Sequence, residues 1–252
     1  MLKSLKNDKT VIGTMLSELY SPNITRLFKT CGFDFCIIDC EHGYFDYAMV
    51  ANIIAVASGY EYPVLVRTSA INRECILKYM DMGASGLVVP MVSRAEDAEK
   101  VVEYSKYAPL GNRGVSTTRA HNNYHSADFN QYMVDANTRT LILVQIESAE
   151  GVANAGQIAK IKGLSGLLIG PNDLSLDMGV LGNYEDKRFE AAVERVIEAA
   201  QDHNLYSGII SSNIKLLNKC EEKGMRILSC NSELGMISSS AKQALNSLHH
   251  RS

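Results

Sequence analysis

Short apolar runs recur along the chain, and each is followed by a stretch with the spacing of an amphipathic helix. The runs are continuous and do not alternate with polar residues, which is typical of parallel strands buried on both faces. The helical stretches between them often end on Asn or Gly, which are common stop signals. The pattern predicts eight strands, at residues 11–16, 35–40, 63–68, 85–92, 140–147, 166–171, 207–212 and 226–230.

Eight strand–helix units without a break in composition predict a closed (β/α)8 barrel, the TIM barrel. An open doubly wound sheet is the alternative, but no G-x-G-x-x-G motif follows the first strand. The length of 252 residues suits one barrel domain over residues 1–252. Two segments stand apart from the repeat, an insertion at about 107–139 and a C-terminal helix at about 232–248.

Composition narrows the class of protein. Hydrophobic residues make up 46% and charged residues 21% of the chain, and the formal net charge is −3. A weakly acidic chain without a long apolar run is not expected to bind nucleic acid or a membrane. The first ten residues lack the apolar core of a signal peptide, and none of the six cysteines forms a C-x-x-C pair. We therefore expect a cytoplasmic protein with buried thiols.

Charged and polar residues stand where four of the predicted strands end. In a barrel of parallel strands, the carboxyl ends carry the active site, so these residues are expected on one rim. Each alone suits an ordinary loop, but four coincidences favour a functional site. The candidates are Asp39 and His42 after strand two, Arg67 at strand three, Gln145 and Glu147 at strand five, and Asn172 and Asp173 after strand six.

Glu147 and Asp173 come from adjacent predicted strands, so their carboxylates can converge on one divalent metal ion, Mg2+, Mn2+ or Co2+. Two carboxylates with waters suit a hard octahedral cation, and a keto acid would add oxygens of its own. Arg67 would hold the carbonyl or enolate oxygen of that acid. The backbone at Asn172 and Asp173 would bind its carboxylate.

His42 is the predicted proton carrier because its ordinary pKa lies near neutrality. Asp39, three residues earlier, is expected to orient the imidazole ring. Cys40 lies between them, but side chains alternate along a strand, so its thiol should point away from Asp39.

At these motifs the sequence resembles the HpcH/HpaI family of metal-dependent, class II pyruvate aldolases. The resemblance rests on GFDFCIIDCEHG, PVLVRT, MDMGASGLVVPMV, APLGNRGV, LVQIESAEGV and IGPNDLSLDMGVLGN, in family order over most of residues 11–183. It implies a barrel of the phosphoenolpyruvate/pyruvate-binding type, assembled as a homo-oligomer, a hexamer or trimer, with exchanged C-terminal helices. It also implies that His42 and Asp39 form the acid–base dyad, and that Glu147 and Asp173 bind the metal with Gln145 beside them.

The sequence departs from the family where the second substrate is expected. Met15 stands where several members carry Trp, and Glu18 adds a charge to the same loop. Ser211 after strand seven and the 119–125 part of the insertion are further candidates for this half of the site. Their hydroxyl and basic groups favour a hydroxylated aldehyde, because a site built to hydrogen-bond a hydroxyl rejects a partner that lacks it.

Together these features predict a lyase that cleaves or forms a 4-hydroxy-2-keto acid from pyruvate and an aldehyde through a metal-stabilised enolate. One alternative is an acyl-CoA carbon–carbon lyase of the citrate or malyl-CoA type, although no basic cluster suited to a nucleotide is evident. Another is a non-catalytic keto-acid-binding protein, against which His42, Glu147 and Asp173 argue.

Overall fold

The computed structural model describes residues 1–125 and 128–248. Eight parallel strands pair in chain order and the first closes on the last, which confirms the predicted (β/α)8 barrel. Residues 126–127 and 249–252 of the predicted 1–252 domain lie outside the described part. The strands are β1 Val11–Leu16, β2 Phe35–Asp39, β3 Val64–Arg67, β4 Gly86–Val89, β5 Leu141–Ile146, β6 Gly166–Ile169, β7 Tyr206–Ser211 and β8 Ile227–Ser232.

The helices cover the outside of the barrel, and several begin at a polar residue whose side chain accepts a backbone N–H of the first turn. Asp46, Asn72, Ser148 and Asn213 cap helices in this way. The helices are α1 Leu2–Lys6, α2 Ile24–Thr30, α3 Tyr47–Ser58, α4 Arg73–Asp81, α5 Ala95–Ser105, α6 Phe129–Arg139, α7 Ala149–Ala159, α8 Pro171–Asp177, α9 Lys187–Asp202, α10 Ile214–Glu222 and α11 Glu233–Ser247, with a 3₁₀ helix at Ala120–Asn122.

Alternate residues of each strand point into the barrel and fill it. The inward set forms one apolar cluster, and the outward set packs under the helices in a larger cluster. Leu5 of α1 belongs to the inward cluster, so α1 closes the N-terminal end of the barrel. The inward apolar residues are Val11, Met15, Phe35, Ile37, Leu65, Val88, Leu141, Leu143, Leu168 and Ile227.

Only the beginning of the last helix packs on its own barrel, where Met236 lies against the core. Glu233 is the one residue of α11 that is buried, while Ile237 and Leu245 are 54% and 47% exposed. Ile12, on the outer face of β1, is also 43% exposed. Among the described residues, no helix combines the length and the apolar character needed to cross a membrane.

Candidate active site

The alternation that fills the barrel also places the candidate side chains. Asp39 continues the inward set of β2 after Ile37, and Arg67 continues that of β3 after Leu65. The register of the two strands pairs Asp39 directly with Arg67. Polar side chains therefore meet at the carboxyl end, above the apolar layers of the barrel.

Arg67 is held by two carboxylates. Its Nε and Nη2 donate to the two oxygens of Asp39 at 2.9 and 2.7 Å, and its Nη1 lies 3.1 Å from Glu41 Oε2. Asp39 and Arg67 are 3% and 8% exposed, so this pair is largely removed from solvent. A bidentate geometry fixes the plane of the guanidinium as well as its position.

The charges of this cluster shift one another's pKa values. Burial would raise the pKa of Asp39, but the hydrogen bond and charge of Arg67 outweigh it, so the pKa lies below its usual range. Burial raises the pKa of Glu41, and Arg67 offsets this only in part. Burial would lower the pKa of Arg67, but Asp39 and Glu41 raise it further. Arg67 is therefore a fixed positive charge.

His42 is placed differently from the prediction that Asp39 orients its ring. Its side chain is 70% exposed, and its ring Nε2 lies 3.9 Å from Glu41 Oε2. Asp39 uses both oxygens for Arg67 and also accepts the backbone N–H groups of Glu41 and His42. Asp39 thus positions the backbone of His42 and the side chain of Arg67.

Glu147 lies directly after β5 and is 3% exposed. Its Oε1 accepts a hydrogen bond from Gln145 Nε2 at 2.6 Å, and its Oε2 accepts the backbone N–H of Met91 at 2.9 Å. Met91 presents that N–H from a left-handed conformation, with φ of 56°, which is strained for a side chain of its size. Gly170 at the end of β6 leaves the space that the Glu147 carboxylate fills, since a Cβ there would overlap it.

The surroundings of Glu147 suit a cation. Burial raises the pKa of Glu147, and the charges of Glu41 and Asp173 raise it further, while Arg67 lowers it. Three carboxylates therefore influence one another across a site with one fixed cation, and a divalent ion would offset their repulsion. Within the described ranges no three acidic, His or Cys side chains converge closely enough to chelate a metal by themselves, which leaves room for water and substrate oxygens.

The turn after β6 carries Asn172 and Asp173 in the first turn of α8. Both are exposed at the rim. Asn172 Oδ1 accepts the hydroxyl of Tyr184 at 2.5 Å, which ties this turn to the segment before α9. Asp173 lies close enough to Glu147 and Glu41 for its charge to raise the pKa of each.

The residues expected at the second substrate are not all brought together. Met15 is 7% exposed and is the inward residue nearest the carboxyl end of β1. Ser211 follows the outward set of β7 after Ile209, and its hydroxyl accepts the N–H of Asn213 at 3.1 Å. The structure therefore directs Ser211 away from the barrel interior.

The prediction that the 119–125 part of the insertion reaches the catalytic rim is wrong for this chain. Its 3₁₀ helix lies beside Val64, Ser85 and Leu141, which stand at the beginnings of β3, β4 and β5. The physical reason is that the insertion follows helix α5, and connections from helix to strand lie at the N-terminal end of a barrel.

Two contributors to the site were missed in the sequence. Glu41 lies two residues after Asp39, so its side chain points to the same inward face. This alternation along β2 could have predicted its place in the site. Glu233, at the start of α11, is 2% exposed and its carboxylate accepts the backbone N–H groups of three residues after β1. Those residues, which form the loop beyond Met15, are Ser17, Glu18 and Leu19.

A buried arginine held by carboxylates, within the electrostatic influence of the buried Glu147, can bind an anionic carbonyl compound at the carboxyl end of the barrel. Residues 14–239 match the family model described as HpcH/HpaI aldolase/citrate lyase. The chain belongs to this family. It is a carbon–carbon lyase, so the non-catalytic alternative is set aside.

Individual relatives agree with this assignment. The chain is 33% identical over 224 residues to the 4-hydroxy-2-oxo-heptane-1,7-dioate aldolase of Escherichia coli, covering 88% of this chain and 84% of the relative. It matches the crystal structure of an HpcH/HpaI aldolase from Desulfitobacterium hafniense with a TM-score of 0.95 at 27% identity, covering 100% of this chain and 97% of that one.

A citrate synthase, SbnG, matches with a TM-score of 0.87 at 26% identity, over 97% of this chain and 95% of that chain. The barrel is thus shared by enzymes with different carbon–carbon bond chemistry. The similarity to a curated aldolase over most of its length makes the aldolase interpretation fit better than the acyl-CoA lyase alternative.

Proposed function

We propose that this protein is a metal-dependent aldolase that cleaves a 4-hydroxy-2-keto acid into pyruvate and an aldehyde, and catalyses the reverse addition. The observation that carries the proposal is the buried Arg67, which is fixed by Asp39 and electrostatically coupled to the buried Glu147. A guanidinium held in this way can bind the keto oxygen without reorganising.

Glu147 and Asp173 would hold Mg2+, Mn2+ or Co2+, with Gln145 keeping the Glu147 carboxylate in place. When bound, the metal supplies a Lewis acid that polarises the keto group. The N–H groups at Asn172 and Asp173 would bind the substrate carboxylate.

In cleavage, a base removes the proton from the C4 hydroxyl, the C3–C4 bond breaks, and its electrons pass into the keto group of the pyruvate half. Arg67 stabilises the negative charge that develops on that oxygen. His42 would take the hydroxyl proton and return a proton to C3, which completes pyruvate. Its exposed ring suits exchange of that proton with solvent.

The test is pyruvate release from a panel of 2-keto-3-deoxy acids, followed by coupling to lactate dehydrogenase. Activity should require a divalent ion and disappear with a chelator. The variant Glu147→Gln should be inactive, and the matched variant Glu150→Gln, which alters an exposed carboxylate nearby, should be active. Absence of pyruvate from every acid with all three metals would refute the proposal.

We also propose that the enzyme is a cytoplasmic homo-oligomer. The support for assembly is the exposed apolar side of α11 together with the exposed Ile12 on the outer face of β1. The expected assembly is a hexamer or trimer.

A further inference from the structure

A cavity of about 340 Å³ lies at the N-terminal end of the barrel, on the opposite side from the candidate active site. Its walls come from the beginnings of β3 to β5, the ends of α3 and α4, and the insertion. The volume lies in the range of pockets that bind small molecules. None of the proposed catalytic side chains lines it.

Arg113 of the insertion lines this cavity and is 6% exposed. Its Nη2 donates to Asp81 Oδ1 at 2.6 Å, and its guanidinium stacks 4.6 Å from the ring centre of Tyr107. Its Nε is buried and, in the part of the chain that the structure describes, finds no hydrogen-bond acceptor. Such a donor normally has a partner, so a missing acceptor points to a ligand or solvent molecule.

The charges around the cavity are unevenly buried. Arg113 lies near Lys106, which is 2% exposed and donates to two backbone carbonyls. Burial and the charge of Arg113 together lower the pKa of Lys106 to about 8. Burial and then Arg113 also lower the pKa of His121 in the cavity wall. The buried groups therefore create a positive potential, which Asp81, paired with Arg113, and the exposed Glu61 in the cavity wall offset only in part.

Arg139 adds a second guanidinium to the wall, 4.9 Å from the ring centre of Tyr132. The rest of the wall combines polar side chains with apolar ones, and the apolar ones include Ile54, Met80 and Ala136. The cavity thus offers a cationic end and an apolar side. This combination suits an amphipathic anion better than a fully hydrated one.

We propose that this cavity is a second binding site, for a small organic carboxylate with an apolar body. The carboxylate lies against Arg113 and Arg139, and the apolar body lies against Ile54, Met80 and Ala136. Because the site is built on the beginnings of the strands that carry Arg67 and Glu147 at their other ends, it is distinct from the catalytic site.

The test uses 4-fluorobenzoate as the probe and 4-fluorobenzamide as its neutral isostere, with binding followed by fluorine NMR line broadening. The purified full-length enzyme should bind the carboxylate at least about tenfold more tightly than the amide. Arg113→Gln should weaken carboxylate binding by about tenfold or more, since a charge-assisted hydrogen bond is lost. Arg139→Gln should weaken it by about threefold, because that guanidinium is more exposed.

Two controls separate this site from other sources of binding. Arg195→Gln alters another exposed arginine that donates to a backbone carbonyl, on α9, and should leave affinity unchanged. Arg67→Gln should also leave it unchanged, because Arg67 lies at the opposite end of the barrel. If Arg113→Gln fails to fold by circular dichroism, Arg139→Gln decides the question by itself.

The proposal is overturned if 4-fluorobenzoate at millimolar concentration shows no broadening, or if the amide binds equally well. It is also overturned if Arg67→Gln removes the binding while Arg139→Gln does not, since the probe would then occupy the catalytic site. These outcomes do not depend on aldolase activity.

Discussion

At the scale of single residues, the hydrogen bonds between Asp39 and Arg67 indicate that Asp39 and His42 have different roles, which kinetics of variants can distinguish. Both oxygens of Asp39 accept hydrogen bonds from Arg67, so Asp39→Asn should loosen the guanidinium that we propose binds the keto oxygen. We expect the KM for the keto acid to rise about tenfold or more. His42→Ala should instead lower kcat by about 10²–10⁴ with little change in KM, because it removes a proton carrier.

Steady-state kinetics with saturating metal distinguish the two effects. A variant Asp39→Asn that lowers kcat alone, as His42→Ala is expected to do, would show that Asp39 acts through the histidine. Normal turnover by His42→Ala would assign the proton transfer to another group.

We expect metal binding to depend on the buried carboxylate of Glu147. Glu147→Gln keeps the size of the side chain but removes the charge, and its amide nitrogen would face one of the two donors, Gln145 Nε2 or the Met91 N–H. We expect Mn2+ affinity, measured by calorimetry, to fall at least about 100-fold. Asp173→Asn should have a similar effect, and Glu150→Gln should have none. Unchanged affinity in both Glu147→Gln and Asp173→Asn would place the metal elsewhere.

We expect the loop after β1 to determine which aldehyde the enzyme prefers. Ser211 points outward and the insertion lies at the other end, so Glu18 is the polar candidate that remains near Met15. Tyr44 donates to Glu18 Oε2 at 3.1 Å, and Glu233 fixes the Glu18 backbone. We expect aldol addition of pyruvate to favour glycolaldehyde over propionaldehyde in kcat/KM.

The variant Glu18→Ala should reduce that preference by about tenfold. Equal kcat/KM values for the two aldehydes in the unaltered enzyme would mean that the pocket does not recognise the hydroxyl group.

The sequence alone predicted the site residues that a local pattern marks. It did not predict contacts between residues that lie far apart in the chain. Asp39, Arg67 and Glu147 were found because each ends an apolar run, and the barrel brings strand ends to one rim. The pairing of Asp39 with Arg67 was not predicted, because it depends on the register between β2 and β3. The contact of Glu147 with the Met91 N–H depends on a left-handed residue that no local pattern indicates.

At the scale of elements, Lys106, which directly follows α5, holds the end of α6 in the insertion by hydrogen bonds. This lysine caps the carboxyl end of α6 by donating to Asn137 and Thr140 carbonyls at 2.7 and 2.8 Å. Burial, with the charge of Arg113, lowers its pKa from 10.5 to about 8. Between these values the unfolded chain binds more protons than the folded one, so the stability due to Lys106 rises with pH.

We therefore expect the free energy of unfolding of the unaltered protein to rise relative to that of Lys106→Gln between pH 7.5 and 9.5. The expected rise is on the order of 1–2 kcal/mol. Urea unfolding at the two pH values measures the difference. Lys100→Gln, an exposed change in α5, the helix that Lys106 directly follows, is the control and should show no such trend. A difference between wild type and Lys106→Gln that is constant with pH would contradict the lowered pKa.

The predicted strands agree with the structure to within a few residues, and the exceptions have physical causes. The fourth strand was expected at 85–92 but ends at Val89, because Pro90 lacks an N–H and Met91 is left-handed. The eighth runs on to Ser232, since it continues to pair with β1 past an irregularity in the register. Apolar patterns locate a strand but not its last hydrogen bond.

At the scale of the whole molecule, α11 and β1 each leave apolar surface exposed. The eighth helix of a closed barrel ordinarily covers the outer face beside the first strand, yet Ile12 is 43% exposed there. Ile237 and Leu245 of α11, and Leu248 directly after it, are exposed as well, at 54%, 47% and 64%. A helix from a second copy would cover the surface that this chain's own helix leaves open, which is the exchange expected from the family.

Such an exchange would also connect assembly with catalysis. Glu233 begins α11 and accepts the N–H groups of Ser17, Glu18 and Leu19, so the docking of this helix determines the position of the loop beside Met15. Static light scattering at micromolar concentration should show a multimer of three or six chains. Ile237→Asp should shift the mass towards smaller species by placing a charge in the contact, and should lower aldolase activity with it. Val134→Asp changes a residue of α6 that is 59% exposed and should alter neither. A monomeric unaltered protein would rule out the exchange.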